Sequence, residues 1–420
     1  MCADSEDCAD NVAGQMSLVD TLQHLSIDHL FKEQIGAALN SIHVAGLGSS
    51  SLHQVALRFR LLRTHGIWVS PDEFSKFRGE DGCFSSEIAN DPRGLLSLYN
   101  AAYLSTHGEV ELDEAILFAR QHLESLKTSL KVPLADQVTR ALKLPLPRTL
   151  KRVEALHYIS EYVEEETCNP SILELAKLDF NLLQRLHLRE LKSVSQWDDS
   201  AVSMLPEYLR KFYLRLLGSF QDFGDELQPK DRYRVAYNIE AVKVLSESYL
   251  QEAKWFHHNY TPTFKEQAKV STVSAGGQIS AVALLLGMGE EATIEAFEWA
   301  MRGADAVASF GEIARFMNDI ASFKRGKNKN DVASSVECYM NEYNVTSEVA
   351  ITKIGYLIED AWRTANQARF DHPDLLPAVQ RLINLIVSMP FIYDSEKDIY
   401  TNGKDNKEMI ERLFINPIPF

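Results

Sequence analysis

Apolar residues recur at helical spacing along nearly the whole chain, and this period constrains the fold more than any other feature. Leu209, Phe212, Tyr213, Leu216, Leu217 and Phe220 fall at i, i+3, i+4, i+7, i+8 and i+11, one stripe of an amphipathic helix. Ile351, Ile354, Leu357, Ile358 and Ala361 make another, and Leu382, Ile383, Leu385, Ile386 and Val387 fill a more deeply buried segment. Sustained alternation with period two, the mark of half-buried strands, is not evident. The stripes are separated by short breaks: Gly46 to Ser51, Ser70-Pro71-Asp72, Asn90-Asp91-Pro92, Leu144-Pro145-Leu146-Pro147 and Asn169-Pro170-Ser171. Several set a polar side chain before a proline, where it caps the first amides of a helix. The pattern predicts an all-α protein.

With 420 residues, 45% of them hydrophobic, the chain has material for two packed domains and is not disordered as a whole. The Asn169-Pro170 break follows an acidic patch, Glu161 to Glu166, and marks the boundary region. The expected division is a disordered polar segment over 1–16, a first domain over 17–175 and a second over 176–420. No internal periodicity of the solenoid kind is present.

A formal charge of −16 repels phosphate backbones, so bulk nucleic-acid binding is not expected. An anionic substrate would need a local reversal of the field, for which a divalent metal is the usual means. The five cysteines (Cys2, Cys8, Cys83, Cys168, Cys338) lack CxxC spacing and read as thiols of a reducing compartment. No stretch approaches eighteen uncharged apolar residues, so no membrane span is expected. The acidic start, Met1 to Asp7, is unlike a leader, which makes the cytoplasm the expected location and leaves the sequons at Asn259 and Asn344 without weight.

The stretch from Arg315 to Gly326 carries the most chemistry. On a helix, Asn318, Ser322 and position 326 share a face at i, i+4 and i+8. An amide oxygen, a hydroxyl and a carboxylate there would form a hard-oxygen site suited to Mg²⁺. Arg315 lies one turn earlier, where its fork could hold a diphosphate. Read alone, such a segment is usually a solvated helix end. Other candidates are weaker. Lys324 to Lys329 is a basic loop, and His257-His258 lacks the spacing of a zinc helix. Gly46-x-Gly48 follows no strand, Trp255 and Trp299 fit either packing or an apolar cavity, and Ser271 to Gly277 permits a kink.

The chain resembles the plant class I terpene synthases, and specifically sesquiterpene synthases of the grass type. The blocks that carry the resemblance are Ala56 to Arg63 with His65-Gly66, Leu95 to Tyr99, Leu112 to Ala115 and Leu175 to Asn181. Leu205 to Tyr208, Glu252 to Trp255 and Val336 to Met340 continue it. It implies an N-terminal α-barrel domain and a C-terminal α-bundle in which Mg²⁺, or Mn²⁺, binds a prenyl diphosphate and triggers its ionisation. In the family's second metal motif Asn318 and Ser322 are ligands with Asp319 in support. Gly326 stands where a ligand Glu belongs. Arg315 carries over as a diphosphate-binding residue. Tyr393-Asp394-Ser395-Glu396-Lys397-Asp398-Ile399-Tyr400-Thr401 resembles the family's lid loop, which assigns Tyr393 to substrate binding and Asp398 and Tyr400 to catalysis.

The larger departure is an absence. The family's Asp-Asp-x-x-Asp motif has no counterpart: the one Asp-Asp pair, Asp198-Asp199, is followed by Ser200-Ala201-Val202. Its neighbourhood matches the family downstream of the motif, and Leu188 to Leu191 matches the first helix of the catalytic domain. The two join at Ser195-Gln196-Trp197, as if two or three helices had been excised near 196–197. The family's Trp-containing leading segment is also absent. These departures predict weakened metal binding, impaired or absent conversion of farnesyl diphosphate to sesquiterpenes, and low solubility of the second domain. The expected protein is a monomer without nucleic-acid or membrane partners. The alternative is a non-catalytic helical product that associates with full-length relatives.

Overall fold

The helical period is realised as helices throughout. The computed structural model describes residues 3–45, 50–79, 82–165, 167–194, 207–303, 305–326, 332–393 and 398–419. Among the described residues there is no strand, only isolated bridges between Arg78 and Phe84 and between Tyr393 and Asp398. The chain divides into two compact units. One comprises Met1–Gln184, Arg369–Pro373 and Asn406–Phe420, and the other Arg185–Ala368 and Asp374–Asp405.

The first unit holds α1 (Ala3–His24), α2 (Lys32–Val44), α3 (Leu52–Thr64), α4 (Pro92–Ala102), α5 (Val110–Leu126), α6 (Leu134–Lys143), α7 (Lys151–Tyr162) and much of α8 (Pro170–Val194). Helix α3 is its axis, packed on α1, α2 and α4 and buried from Val55 to Arg63. Three arginines lie in that buried run, and each has a carboxylate: Arg58 with Glu73, Arg60 with Asp20, and Arg63 with Glu109 at 2.5 Å. A guanidinium so placed would be strongly destabilising without its partner. The polar breaks act as caps: Ser51 forms a capping box with Gln54, and Asp91 Oδ1 accepts the Gly94 amide at 2.9 Å.

The structure differs from the expectation of disorder over 1–16. Val12, Met16 and Val19 fall at i, i+4 and i+7, and all three are buried. α1 packs on α2, α3 and α7, so this stripe closes the unit rather than trailing from it.

The second unit holds α9 (Glu207–Glu226), α10 (Tyr233–His257), α11 (Phe264–Ser274), α12 (Gly277–Leu286), α13 (Ile294–Arg302), α14 (Asp305–Arg325), α15 (Ser335–Tyr343), most of α16 (Ser347–Asp371), α17 (Leu376–Ile386) and α18 (Met389–Ile392). Helix α14 is its axis, packed on α11, α12, α15, α17 and α18. Two glycines set how closely it approaches. A Cβ on Gly311 would overlap the Thr272 carbonyl oxygen, and one on Gly277 would lie 2.6 Å from the Val307 oxygen. The kink expected in Ser271 to Gly277 is a full break at Gly276, whose φ of +90° separates α11 from α12.

Two stretches, Phe264–Leu286 and Pro373–Ile392, are long and apolar enough to cross a membrane, contrary to the sequence expectation. Both contribute to the core, through Ala281, Val282 and Leu285 in the first and Leu382, Ile383 and Ile386 in the second. Trp255 and Trp299 are buried at 9% and 4% exposure, which is packing, and Cys83, Cys168 and Cys338 form no disulfide.

The division at 175 expected from sequence also shifts. Gln184 ends the first segment of the first unit, and α19 (Lys407–Phe414) belongs to that unit through packing on α7. The Asn181 side chain bonds both backbone groups of Ile418, at 3.2 and 3.0 Å, while Gln184 Nε2 donates to the Asn416 oxygen at 3.2 Å. These are bonds between positions more than two hundred residues apart, beyond the reach of a local break signal.

Candidate active site

Helix α14 carries the motif residues, and its one-turn spacing sets their order on the surface. Arg315 is half-buried and firmly held. Its Nε donates to the Ser271 oxygen at 3.1 Å and its Nη2 to Ser274 Oγ at 3.1 Å. Ser274 in turn donates to Glu252 Oε1 at 2.6 Å. The break after α11 makes this possible, since the last carbonyls and hydroxyls of a helix end are available to a cation. The guanidinium has five donor hydrogens, so these two bonds orient the fork and leave donors for an anion.

Asp319 points elsewhere. It is 5% exposed, and its Oδ2 accepts the Ser335 amide at 2.7 Å and Gln267 Nε2 at 3.5 Å. Its Oδ1 stands 3.7 Å from Arg315 Nη1. The carboxylate thus caps the start of α15 and braces Arg315.

Asn318 and Ser322 are both half-buried on one face. Tyr393 lies beside them, hydrogen-bonded to Asn318, and its phenol is pushed up to about 12 by burial and the charge of Asp398, against the opposing influence of Arg315 and Asn318. The structure therefore gathers Arg315, Asn318 and Tyr393. Tyr400 is 81% exposed, yet near enough to Tyr393 to add to the upward shift of its phenol. Asp398 is buried at 1% exposure, accepting the Thr401 amide at 2.9 Å and Arg325 Nη2 at 2.6 Å. Burial raises its proton affinity, but the Thr401 and Arg325 hydrogen bonds outweigh that and hold the carboxyl below its ordinary value.

Position 326 is corrected. It does not extend the Asn318 and Ser322 face, because α14 ends at Arg325 and Gly326 follows with φ +80° and its amide bonded to the Phe323 oxygen at 3.2 Å. A left-handed glycine just past the last turn is a helix stop. The third donor position is lost twice over, by side chain and by backbone direction.

Among the described residues no group of three or more His, Cys, Asp and Glu side chains could hold a metal ion. One amide oxygen and one hydroxyl fall short of the carboxylate-bearing donor set that Mg²⁺ takes, so the described residues do not by themselves fit the metal. Asp198 and Asp199 lie outside the described residues, as do 394–397 of the lid loop and 327–331 of the basic loop. His258 is bonded to the Lys254 oxygen at 2.7 Å and joins no metal cluster.

Sequence reasoning gave no role to Gln267, Ser271, Ser274 or Glu252, although Glu252, Ser271 and Ser274 all lay in blocks it singled out. It also passed over Glu312, whose carboxyl is raised by burial and by the charge of Asp360. None of these has a motif; each acts through a partner on another helix.

The fold and this site define a class I terpenoid-cyclase architecture, and comparison with known proteins gives the family. Residues 188–364 match the model of the terpene synthase family metal-binding domain, and residues 1–142 match the terpene synthase N-terminal domain. Tau-cadinol synthase of Zea mays is 47% identical over 97% of this chain and 89% of its own length. Alpha-humulene synthase of Zingiber zerumbet is 37% identical over 94% and 86%. Isoprene synthase from grey poplar (Populus x canescens) superposes with a TM-score of 0.84 at 26% identity, over 99% of this chain and 95% of that one. Another structure of that enzyme holds three Mg²⁺ ions and dimethylallyl-S-thiolodiphosphate. The chain belongs to the terpene synthase family, whose metal-binding domain implies dependence on a divalent metal. Its alignment with the tau-cadinol enzyme nevertheless runs over 490 positions against a chain of 420 residues. At least 70 residues of that relative therefore have no counterpart here.

Proposed function

We propose that this protein is a sesquiterpene-synthase homologue that binds farnesyl diphosphate with Mg²⁺, or Mn²⁺ in its place, weakly, and turns it over slowly or not at all. The single observation that carries the reading is the end of α14 at Gly326, which leaves Asn318 and Ser322 as a two-donor remnant. The unmatched residues in the alignment with the maize relative support it, as does the lack of a third acid after Asp198-Asp199.

Diphosphate departs from an allylic carbon only when the charge it develops is met by fixed cations, the electrostatic contribution that dominates such catalysis. Among the described residues, Arg315 is held in place to meet it. Its fork is oriented by Ser271 and Ser274 and braced by Asp319. Tyr393 stays protonated at neutral pH and so presents a hydroxyl, not a charge, beside Asn318. Asp398 positions the base of the lid segment through Arg325 rather than exchanging protons with substrate. One oriented cation with two neutral donors binds a diphosphate but supplies a fraction of the stabilisation that ionisation needs. A cytoplasmic location without nucleic-acid or membrane partners accords with the −16 charge.

The test is incubation of the purified protein with farnesyl diphosphate and Mg²⁺, following pyrophosphate release and volatile products beside the maize tau-cadinol enzyme. Turnover lower by about a hundredfold or more is expected from the loss of even one such electrostatic element. Equal turnover overturns the reading.

A further inference from the structure

Helix α9 carries an apolar stripe along its length yet has no buried residue among those described. Phe212 is 58% exposed, Leu217 45% and Phe223 37%. Among the described residues its main packing partner is α10, and Phe212 and Phe223, eleven positions apart and so on one side of the helix, stand in water, a face built to be covered. In the maize relatives at least 70 additional residues lie within the aligned span. This chain has no such segment of its own to lay there.

The charges on α9 say what fits. Its first half, residues 207–216, contains Arg210, Lys211 and Arg215 with Glu207 as the one acid. Its second half, residues 217–226, contains Asp222, Asp225 and Glu226 and no base. Such a helix is complementary to itself when reversed. Arg215 and Asp222 stand only 3.9 Å apart within the chain at 40% and 63% exposure, a solvated pair that can exchange partners at little cost.

We infer that α9 is the interface of a twofold dimer of this chain, pairing antiparallel with the same helix of a second copy. An axis between Leu217 and Gly218, midway from Phe212 to Phe223, sets Phe212 of each copy against Phe223 of the other. It also brings Arg215 within reach of the partner's Asp222. Such a contact is isologous and closes on itself, so assembly stops at two. This dimer stands against the monomer expected from sequence, an expectation that took no account of an uncovered stripe. The inference does not rest on the proposed activity.

Sedimentation velocity on the full chain, from about 1 to 50 µM to expose mass action, tests it. A concentration-dependent species at twice the chain mass is expected. Phe212→Glu with Phe223→Glu should weaken it at least about tenfold, the scale of losing anchor residues at an interface. Asp222→Arg should weaken it as well, and adding Arg215→Glu to that variant should restore it, while circular dichroism shows unchanged helicity in each. Four results overturn the inference. They are a monomer across the range, open-ended larger species, a dimer indifferent to these variants, and a complex formed with the maize tau-cadinol enzyme but not with itself.

Discussion

Arg325, the last residue of α14, donates to Asp398 Oδ2 at 2.6 Å and so ties the end of the motif helix to the segment that follows α18. Thr401 bonds the other carboxylate oxygen, and Ile399 pairs with Ile392 through its amide at 2.9 Å. The base of this segment is therefore fixed by a buried acid. Asp398→Asn keeps the shape and removes the charge. It should cost roughly 2–3 kcal/mol, below the loss for a fully buried pair because Arg325 is partly solvated. Urea unfolding of the second unit measures it, and an unchanged midpoint would show the pair to be incidental.

Gly326 looks from sequence like a ligand position waiting for its acid. With φ at +80° it is a helix stop, and a side chain there is strained although the space around it is open. Gly326→Glu should lower stability by about 1 kcal/mol and leave the affinity for Mg²⁺ with pyrophosphate unchanged. Calorimetric titration decides the point, because a tenfold gain in affinity would mean that α14 can extend.

Gly311 lies one turn before Arg315 and touches the backbone of Thr272. Gly311→Ala forces α14 away from α11, against the favourable helix propensity of alanine. A loss of about 1–3 kcal/mol is expected from overpacking, together with weaker pyrophosphate binding as Arg315 loses the Ser271 oxygen. Thermal unfolding and titration should move together; stability gained would refute the close approach.

His24 lies between Asp20 Oδ1 at 3.3 Å and Glu154 Oε1 at 2.8 Å. Burial lowers its proton affinity, but the two acids outweigh that and raise its pKa from 6.5 to about 9. The folded state binds the proton more tightly than the unfolded chain. The contribution, about 3 kcal/mol, is thus complete below pH 6.5 and disappears as pH rises through 9. Urea midpoints across that window should fall with pH, and His24→Gln should flatten the slope.

The metal reading shows where local pattern stops. Asn318 and Ser322 share a face because four residues make about one helical turn, and sequence suffices for that. Whether position 326 continues the face depends on the φ adopted by a residue free to adopt either sign. Asp319 was legible as part of a motif, but its caps on α15 and on Gln267 join helices that sequence order keeps apart. Tyr400 matched a pattern and stands in solvent, since a spacing in a loop fixes no direction.

The sequence by itself determined an all-α chain in two domains, its capped breaks, and the membership of Arg315, Asn318 and Ser322 in one helix, because helical period and capping are properties of neighbours along the chain. Tertiary structure alone decided that α1 is a packed helix, that the C-terminal segment returns to Asn181 and Gln184, and that Asp398 closes on Arg325. It also decided that Gly326 ends α14. Each of these is a free-energy difference settled between segments distant in sequence, where burial and long-range hydrogen bonds outweigh local preference.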